Sequence, residues 1–566
     1  MTTLLRAFRL PAASALAAEA DGLVLVRSAL TPAAAWSSAQ PAGALAALAG
    51  AWPAALPAVS ALIAADRTAE KGAALAVAHG VPGSRIVLSP VAGVLGDTDD
   101  VRRFADAARA ASARARAAGM RRPAVVLLDD PVDATAGKPA AARVARDFGR
   151  TLEAVLLGLL DDAYVPLQAR EHAAANGRPA EPFDAVHVAV ASGAAHANHA
   201  LVERAASWAA AVEAGRRVAR DMGGADPERM APLRCAEYIR AAFKDAPNVA
   251  VTVVTDPAVL GKEYPLLNAV ARCSYAVPAH HPAVVRLEYR APDQSKVKEN
   301  LFFVGKGVTY DTGGADVKTD GHMRGMSRDK CGATACAGFL RTVSLLKPEH
   351  VNVTATLGFV RNSIGAGSYV SDEILLSRAG VRVLVGNTDA EGRMVMTDLL
   401  AEAKERALSP EFGSAPSRLF TVATLTGHAV LSVGEGYSIS LDNGPARESG
   451  VSGRLFKAGH VIGDPFETTT LRREDYDLIQ PSGVTEDVCQ ANSAPSSRTP
   501  RGHQYPAAFM SIASGIVNHG LDADKPVSYT HVDIAGSAEK SIGGLSLARV
   551  TGAPVAAFTE AFLSRF

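Results

Sequence analysis

The stretch that most constrains this chain runs from Val304 to Asp329, VGKGVTYDTGGADVKTDGHMRGMSRD, and is entered by the apolar run Leu301-Phe302-Phe303-Val304. The run reads as a buried strand. It passes into glycines and then presents Lys306, Asp311, Asp316, Lys318 and Asp329. Charge at this density does not suit a core, because an unpaired buried charge is costly. It does suit the end of a strand in an open α/β sheet, where such folds bind their ligands. A second dense cluster, Asn387 to Arg393 (NTDAEGR), lies further along the chain. The central question is whether the two clusters form one site.

The surrounding pattern supports a sheet. Val249–Val254, Val284–Tyr289, Val351–Leu357 and Val381–Val385 read as strands, and Leu419–Leu425 as a further, continuous apolar run. Helical patterns cover Asp256–Val270 and Arg393–Ala407, the latter with Val395, Leu399 and Ala403 at i, i+4 and i+8. Strands without alternation, separated by helices, predict a mostly parallel sheet buried on both faces, with both clusters at carboxyl ends of its strands. Upstream, Gly22–Val26, Arg85–Leu88, Ala124–Leu128 and Ala185–Ala191 read as strands, Val101–Ala118 and Ala141–Leu160 as helices, and Ala173–Pro182 as a loop. A long helical pattern from His196 to Met222 runs into Gly223-Gly224, a stop signal. At 566 residues the chain exceeds the roughly 250–300 that one core supports. The expectation is therefore an α/β protein. A smaller N-terminal α/β domain, residues 1–195, is joined by the long helix to a C-terminal catalytic α/β domain, residues 196–566. His196 and His199 fit a solvated helix face better than a metal site.

Several function classes can be set aside. Lys+Arg and Asp+Glu both number 58, which argues against a nucleic-acid footprint spread over the chain. No apolar stretch reaches the ~18 residues of a membrane span. Five cysteines form no CxxC pair and no framework, which suits a reducing compartment. The cytoplasm is the expectation; a mitochondrial presequence is the alternative, given a start that bears Arg and Ala and lacks acids up to Glu19. There is no GxSxG elbow, no HExxH and no GxxxxGK[ST] loop, and the fourteen histidines are scattered. The remaining chemistry is carboxylate-rich: Asp311, Asp329, Asp389 and Glu391, with Lys306, Lys318 and Arg393 nearby. Carboxylates crowded at one locus repel, and divalent cations resolve the repulsion. Four suit two ions of the kind that clamp the attacking and leaving oxygens of a hydrolysis. An ion-pair network of the same acids with Lys and Arg satisfies the residue types equally well.

The order of the residues separates these readings. VGKGVTYDTGG, then Lys318, MSRD and NTDAEGR, resembles the signature of the leucine aminopeptidase (cytosol aminopeptidase) family of two-metal peptidases. The resemblance covers about residues 210–550 and includes ARDM at Ala219–Met222, ATLTG at Ala423–Gly427 and HVDIAG at His531–Gly536. The strings DTGGADxK, GMSRDK and VRNSIG are most similar to a divergent eukaryotic branch. The resemblance implies that Asp311 and Glu391 bridge two divalent metals, Mn²⁺ or Zn²⁺, with Mg²⁺ or Co²⁺ as further options in one site. Lys306 and Asp329 would complete one metal site and Asp389 the other. Lys318 would remain a free ammonium facing the oxyanion. Arg393 would hold a bicarbonate or water acting as general base. Met326, Thr424, Leu425 and Gly427 match positions that line the first side-chain pocket and hold the peptide backbone. The implied activity is release of Leu- or Met-like residues from short peptides with a free N-terminus, by a homohexamer.

Four departures stand out. Lys330-Cys331 places a cation and a thiol beside Asp329; the lysine would either weaken metal binding or point outward, and the thiol reads as buried. Arg361–Gly365 replaces a loop in which the family carries a glutamate. Asp316 replaces an uncharged residue, and Arg501–Gln504 replaces a Gly-Gly string. These bear on substrate preference more than on catalysis. A second reading is a catalytically weak homologue serving as a structural or nucleic-acid-binding oligomer; the intact metal and basic residues and the zero net charge count against it. A two-metal phosphate-ester hydrolase would be expected to show more histidine near the carboxylates.

Overall fold

In the computed structural model, which describes residues 4–7, 16, 19–27, 36–38, 40–41, 43–91, 98–128, 149–191, 199–319, 321–481 and 483–564, the apolar runs become strands of two α/β units. The first unit is Met1–Glu213 with His460–Gly463, and the second is Ala214–Gly459 with Asp464–Phe566. The large mostly parallel sheets match the α/β expectation.

The first unit contains strands β1 (Leu4–Ala7), β2 (Gly22–Arg27), β3 (Ala74–Val77), β4 (Arg85–Pro90), β5 (Pro123–Leu128) and β6 (Ala185–Ala191). They form one sheet in the order β1-β6-β5-β2-β4-β3, parallel except for β3. Helices α1 (Gly43–Ala51) and α2 (Ala55–Ala65) supply Leu45, Leu48, Leu56 and Val59 to a core with Leu23, Leu25, Ile86 and Leu88. Among the described residues no single helix is long and apolar enough to cross a membrane; α1 and α2 pass that test only as a pair bent by 115°. Helices α3 (Arg102–Ala117) and α4 (Thr151–Asp162) are tied by Arg109–Asp161 at 2.9 Å and Arg116–Asp162 at 2.8 Å. Residues 141–148 of the helix expected over Ala141–Leu160 lie outside the described residues, as does His196. The expected loop Ala173–Pro182 begins inside helix α5 (Leu167–Ala175).

Helix α6 (His199–Gly224) carries the chain into the second unit. It ends at Gly224, at the expected stop. Gly223 also serves close packing: a Cβ there would lie 2.9 Å from Cys331 Sγ and 3.1 Å from Val550. Near its start, His199 pairs with Glu203 at 3.1 Å.

The second unit contains β7 (Val249–Val254), β8 (Ala283–Tyr289), β9 (Glu299–Asp311), β10 (Val351–Asn362), β11 (Ile374–Leu376), β12 (Arg382–Leu384), β13 (Ser417–Ala423), β14 (Ser438–Asp442), β15 (Phe466–Thr470), β16 (Val488–Cys489) and β17 (Ser528–Asp533). Its main sheet has the order β15-β14-β17-β13-β9-β10-β8-β7. The central strands β17, β13, β9 and β10 are mutually parallel, and antiparallel pairs enter at β14–β17, β10–β8 and β8–β7. Two expectations are corrected here. The segment expected as one helix over Asp256–Val270 is two, α7 (Pro257–Glu263) and α8 (Pro265–Ala271), because Pro265 has no N–H to donate and forces Tyr264 out of helical geometry. The strand expected at Val381–Val385 is the three-residue β12, which belongs to a separate small sheet, β11-β12-β16. Arg382 is exposed and Leu384 half-buried, so this strand was never a candidate for the doubly covered interior. Only the first cluster therefore leaves the carboxyl end of a main-sheet strand.

Strand β9 lies at the centre of the sheet. Its side chains alternate between two faces. Phe303 stacks on Phe420 at 4.7 Å and meets Phe339 of helix α9 (Cys331–Leu346) edge-on at 5.1 Å. Phe302, Val304 and Val308 join Met394, Val395 and Leu399 of helix α10 (Glu391–Leu408) in the opposite core. Each such buried side chain contributes about 1.5–3 kcal/mol. This packing fixes the strand end that carries the charges.

Candidate metal centre

Lys306 shares the face of Phe302 and Val304, beneath the start of α10. Gly392 is what leaves it room: a Cβ there would lie 2.6 Å from Lys306 Cε. The Lys306 ammonium is 2.7 Å from Asp329 Oδ1 and 2.9 Å from Glu391 Oε1, and it donates to the Thr424 carbonyl at 3.1 Å. After β9 the backbone turns through Gly313 and Gly314 at φ of 91° and 67°, conformations that L side chains rarely adopt. The turn brings Lys318 back to within 3.0 Å of Asp311 Oδ2 and into an ion pair with Asp389. The two sequence clusters are thus one site.

Carboxylate oxygens of Asp311, Asp329 and Glu391 all lie within 4.8 Å of one another, and all three residues are buried. With Asp389 they make four carboxylates against two ammoniums, an excess of negative charge. Among the described residues, Asp329 Oδ2 and Glu391 Oε2 are buried without a hydrogen-bond partner. An orphaned buried carboxylate oxygen is expensive, and hard oxygen donors with excess negative charge are what a divalent cation satisfies. The residues fit such an ion.

The protonation balance agrees. Burial pushes Asp389 up to about 7, with repulsion from Asp311 opposing the pull of Lys318. Burial also raises Asp329 and Glu391, reinforced by repulsion from the neighbouring acids. For Lys306 and Lys318, burial would lower the ammonium pKa, but the carboxylates around each outweigh it and hold both above the usual lysine range. The acids are short of positive charge.

Neutral groups hold these acidic side chains and segments in place. Asn362 donates to Asp311 Oδ1 at 2.8 Å and to the Thr388 carbonyl at 3.1 Å. Thr424 donates its hydroxyl to Asp329 Oδ1 at 2.8 Å. Gln490 accepts from the backbone of Gly386 and Asn387 at 3.1 Å and donates to the carbonyls of Asn387 and Ala390 at 2.8 Å, which shapes the segment carrying Asp389. The sequence gives no signal for Gln490; Thr388 stands out only as part of the NTDAEGR cluster, and Asn362 only as part of a varied loop. Arg393 lies buried in the first turn of α10. It donates to the Gln490 carbonyl at 3.0 Å and stacks over Tyr505 at 4.7 Å; its Nε has no partner among the described residues.

Residues 217–559 match the catalytic-domain model of the cytosol aminopeptidase family. The chain belongs to this family. It is 41% identical over 456 residues, 81% of each chain, to a Caenorhabditis elegans protein provisionally named an aminopeptidase. It is 32% identical over 325 residues to a Campylobacter jejuni protein provisionally named a cytosol aminopeptidase, covering 56% of this chain and 59% of that one. Among solved structures, the leucyl aminopeptidase of Leishmania major in complex with actinonin aligns with a TM-score of 0.74 at 20% identity, over 99% of this chain and 94% of that one. A bottromycin maturation enzyme in complex with Mn aligns at 0.69 and 21% identity, over 96% and 98%. At those identities the two structures speak for the fold alone.

Thr424 and Leu425 lie in the loop that follows β13, and Gly427 opens the helix Gly427–Val433 directly after it. Asp533 fixes that loop by accepting from Leu425 N at 3.2 Å and Thr426 Oγ1 at 2.7 Å. Met326 is half-buried three residues before Asp329. Of the departures, Lys330 does not point outward. It is fully buried and donates to the carbonyls of Ala225, at 3.3 Å, and Ser327, and burial pulls its ammonium down. Cys331 is a buried thiol pushed up to about 12 by desolvation. Arg361 has its own carboxylate, Glu228 at 3.0 Å, and lies over Tyr310. Arg501 pairs with Asp475, and His503 faces His428 with their Nδ1 atoms 2.7 Å apart.

Proposed function

We propose that this family member is a two-metal aminopeptidase that releases Leu- or Met-like N-terminal residues from short peptides. The observation that carries the reading is the convergence of Asp311, Asp329 and Glu391 with orphaned oxygens, flanked by two lysines in different positions. Asp311 and Glu391 would be shared by two ions, Mn²⁺ or Zn²⁺, with Lys306 and Asp329 completing one site and Asp389 the other. Bound ions supply Lewis acidity, which activates water and polarises the scissile carbonyl.

The chain's own groups do the rest. Lys306 must give up its proton to serve as a ligand, and the acids that now hold it charged lose that hold once their charge is neutralised. Lys318 stays an ammonium, anchored by Asp311, and donates where negative charge develops on the carbonyl oxygen. Arg393 is fixed by Tyr505 and Gln490 with Nε free to hold an anion such as bicarbonate, which positions a general base. Met326, Leu425 and Gly427 line the wall that receives the first side chain. Self-association into a homohexamer belongs to the same reading and is measurable by light scattering.

The test is hydrolysis of a leucyl anilide by the Mn²⁺-loaded protein, with silencing by a chelator. Lys318→Ala should abolish turnover and leave bound metal unchanged. Absence of hydrolysis across a panel of N-terminal residues would sink the proposal. Loss of metal in Lys318→Ala would show that this lysine is a ligand.

A further inference from the structure

The six charged groups of the centre come from several segments, two of which are irregular and face each other: the turn from Thr312 to Thr319, which carries Lys318, and the segment from Gly386 to Ala390, which carries Asp389. The Lys318–Asp389 ion pair joins them on the site side. A second junction lies behind it. Asp316 Oδ2 accepts the backbone N–H of Thr388 at 2.7 Å, the Thr388 hydroxyl at 3.1 Å and the Ser371 hydroxyl at 3.2 Å. The Thr388 hydroxyl accepts from Asp316 N at 2.8 Å and shares its one proton with the Gly313 carbonyl at 2.7 Å. The Thr388 carbonyl is taken by Asn362 at 3.1 Å and by Tyr369 OH at 2.9 Å. Every polar atom of Thr388 is therefore bonded, and its N–H depends on one side chain.

We propose that Asp316 is a positioning residue, a clamp that locks the Lys318 turn to the Asp389 segment and so sets where the Lys318 ammonium stands relative to the metal ligands. Asp316 does not act as a ligand. The oxygen that faces the site's scaffold already accepts three donors, and the residue is otherwise exposed to solvent. No side chain that lacks an acceptor at this reach makes the same junction, because only an acceptor reaching back from this turn captures the Thr388 N–H. Gly314 reinforces it: a Cβ there would lie 3.0 Å from Thr388 Oγ1 and 2.8 Å from Asn362 Oδ1, so the two segments are in contact with no room for slack. Displacement of a catalytic ammonium by about 1 Å costs of order 10²-fold in rate.

The proposal rests on the aminopeptidase reading for its catalytic half only. The test compares Asp316→Ala and Asp316→Asn in the full-length, Mn²⁺-loaded protein. Amide exchange across residues 386–391 reads the clamp directly, and kcat, KM and bound metal on a leucyl anilide read its consequence. In Asp316→Ala, exchange at Thr388 should rise at least about tenfold, the size of one lost hydrogen bond. kcat should fall about 10- to 100-fold, with KM and metal content within about twofold of wild type. Asp316→Asn keeps a carbonyl oxygen for the Thr388 N–H and should recover most of the turnover. Unchanged exchange in Asp316→Ala overturns the clamp, and faster exchange with undiminished kcat overturns its positioning role. Equal losses in both variants show that charge, and not the hydrogen bond, matters, which also overturns it. An inactive wild type refutes the aminopeptidase reading, and the exchange measurement still decides whether the clamp exists.

Discussion

Replacing Asn362 with Leu tests whether the neutral scaffold, and not the acids alone, sets the metal affinity. Asn362 is buried and gives its two amide protons to Asp311 Oδ1 at 2.8 Å and to the Thr388 carbonyl at 3.1 Å. Leucine has nearly the same shape and no donor. A hydrogen bond to an ionised carboxylate contributes about 1.5–3 kcal/mol, and one to a neutral carbonyl about 0.5–1.5 kcal/mol. Asp311 keeps the Gly313 N–H at 2.9 Å and the Lys318 ammonium, so it stays in the site but is free to rotate. Loss of the charged bond alone converts to about a 10- to 150-fold weakening of metal affinity, in line with the 10- to 100-fold that loss of a ligand's supporting partner typically costs. The assay is hydrolysis measured against free Mn²⁺ set by a chelator buffer. The half-activating concentration should rise 10- to 100-fold, and saturating metal should restore most of the turnover. An unmoved half-activating concentration would reduce Asn362 to packing. Turnover lost at every metal concentration, with metal still bound, would place Asn362 in the reaction itself.

Two further predictions follow from close approach and from burial. Gly392→Ala puts a methyl carbon 2.6 Å from Lys306 Cε and 2.8 Å from its Nζ, so Lys306 must leave its place between Asp329 and Glu391; bound metal per chain, measured by elemental analysis, should fall, and full occupancy would refute the assignment of Lys306 as a ligand. Asp398 accepts from Leu266 N at 2.7 Å and Arg378 N at 2.8 Å, and its burial pushes the carboxyl up to about 7. The folded chain then binds a proton that the unfolded chain has released, so the stability from this group is complete below about pH 4 and is lost as pH rises through about 7. Denaturant midpoints should fall over that window in the wild type and fall less in Asp398→Asn; parallel profiles would refute the attribution.

What the sequence disclosed and what it hid divide along the cost of burial. The carboxylates and lysines of the centre were legible because charge at the end of an apolar run has few purposes, and the strands were legible because short runs dominated by apolar and β-branched residues must be covered. Gln490 was not, and the roles of Asn362 and Thr388 were hidden inside strings singled out for other residues, since a neutral side chain that contributes a hydrogen bond or two leaves no mark in a pattern of charge or periodicity. The small sheet around β12 escaped for a related reason: three residues carry too little periodicity to say which sheet they join. Lys330 shows the limit most sharply. It and Lys306 are lysines within the same charged stretch of sequence, Lys306 between two glycines and Lys330 next to Asp329, and both are buried. Lys306 has Asp329, Glu391 and Asp311 around it, and they hold it charged against desolvation. Lys330 meets the carbonyls of Ala225 and Ser327 beside the Cys235 and Cys331 thiols, so desolvation prevails and its ammonium is pulled down. The identity of a residue states which charge it can carry. Only its partners in the fold decide whether that charge is held, and that is why Lys306 is held charged among the acids while the Lys330 ammonium is pulled down.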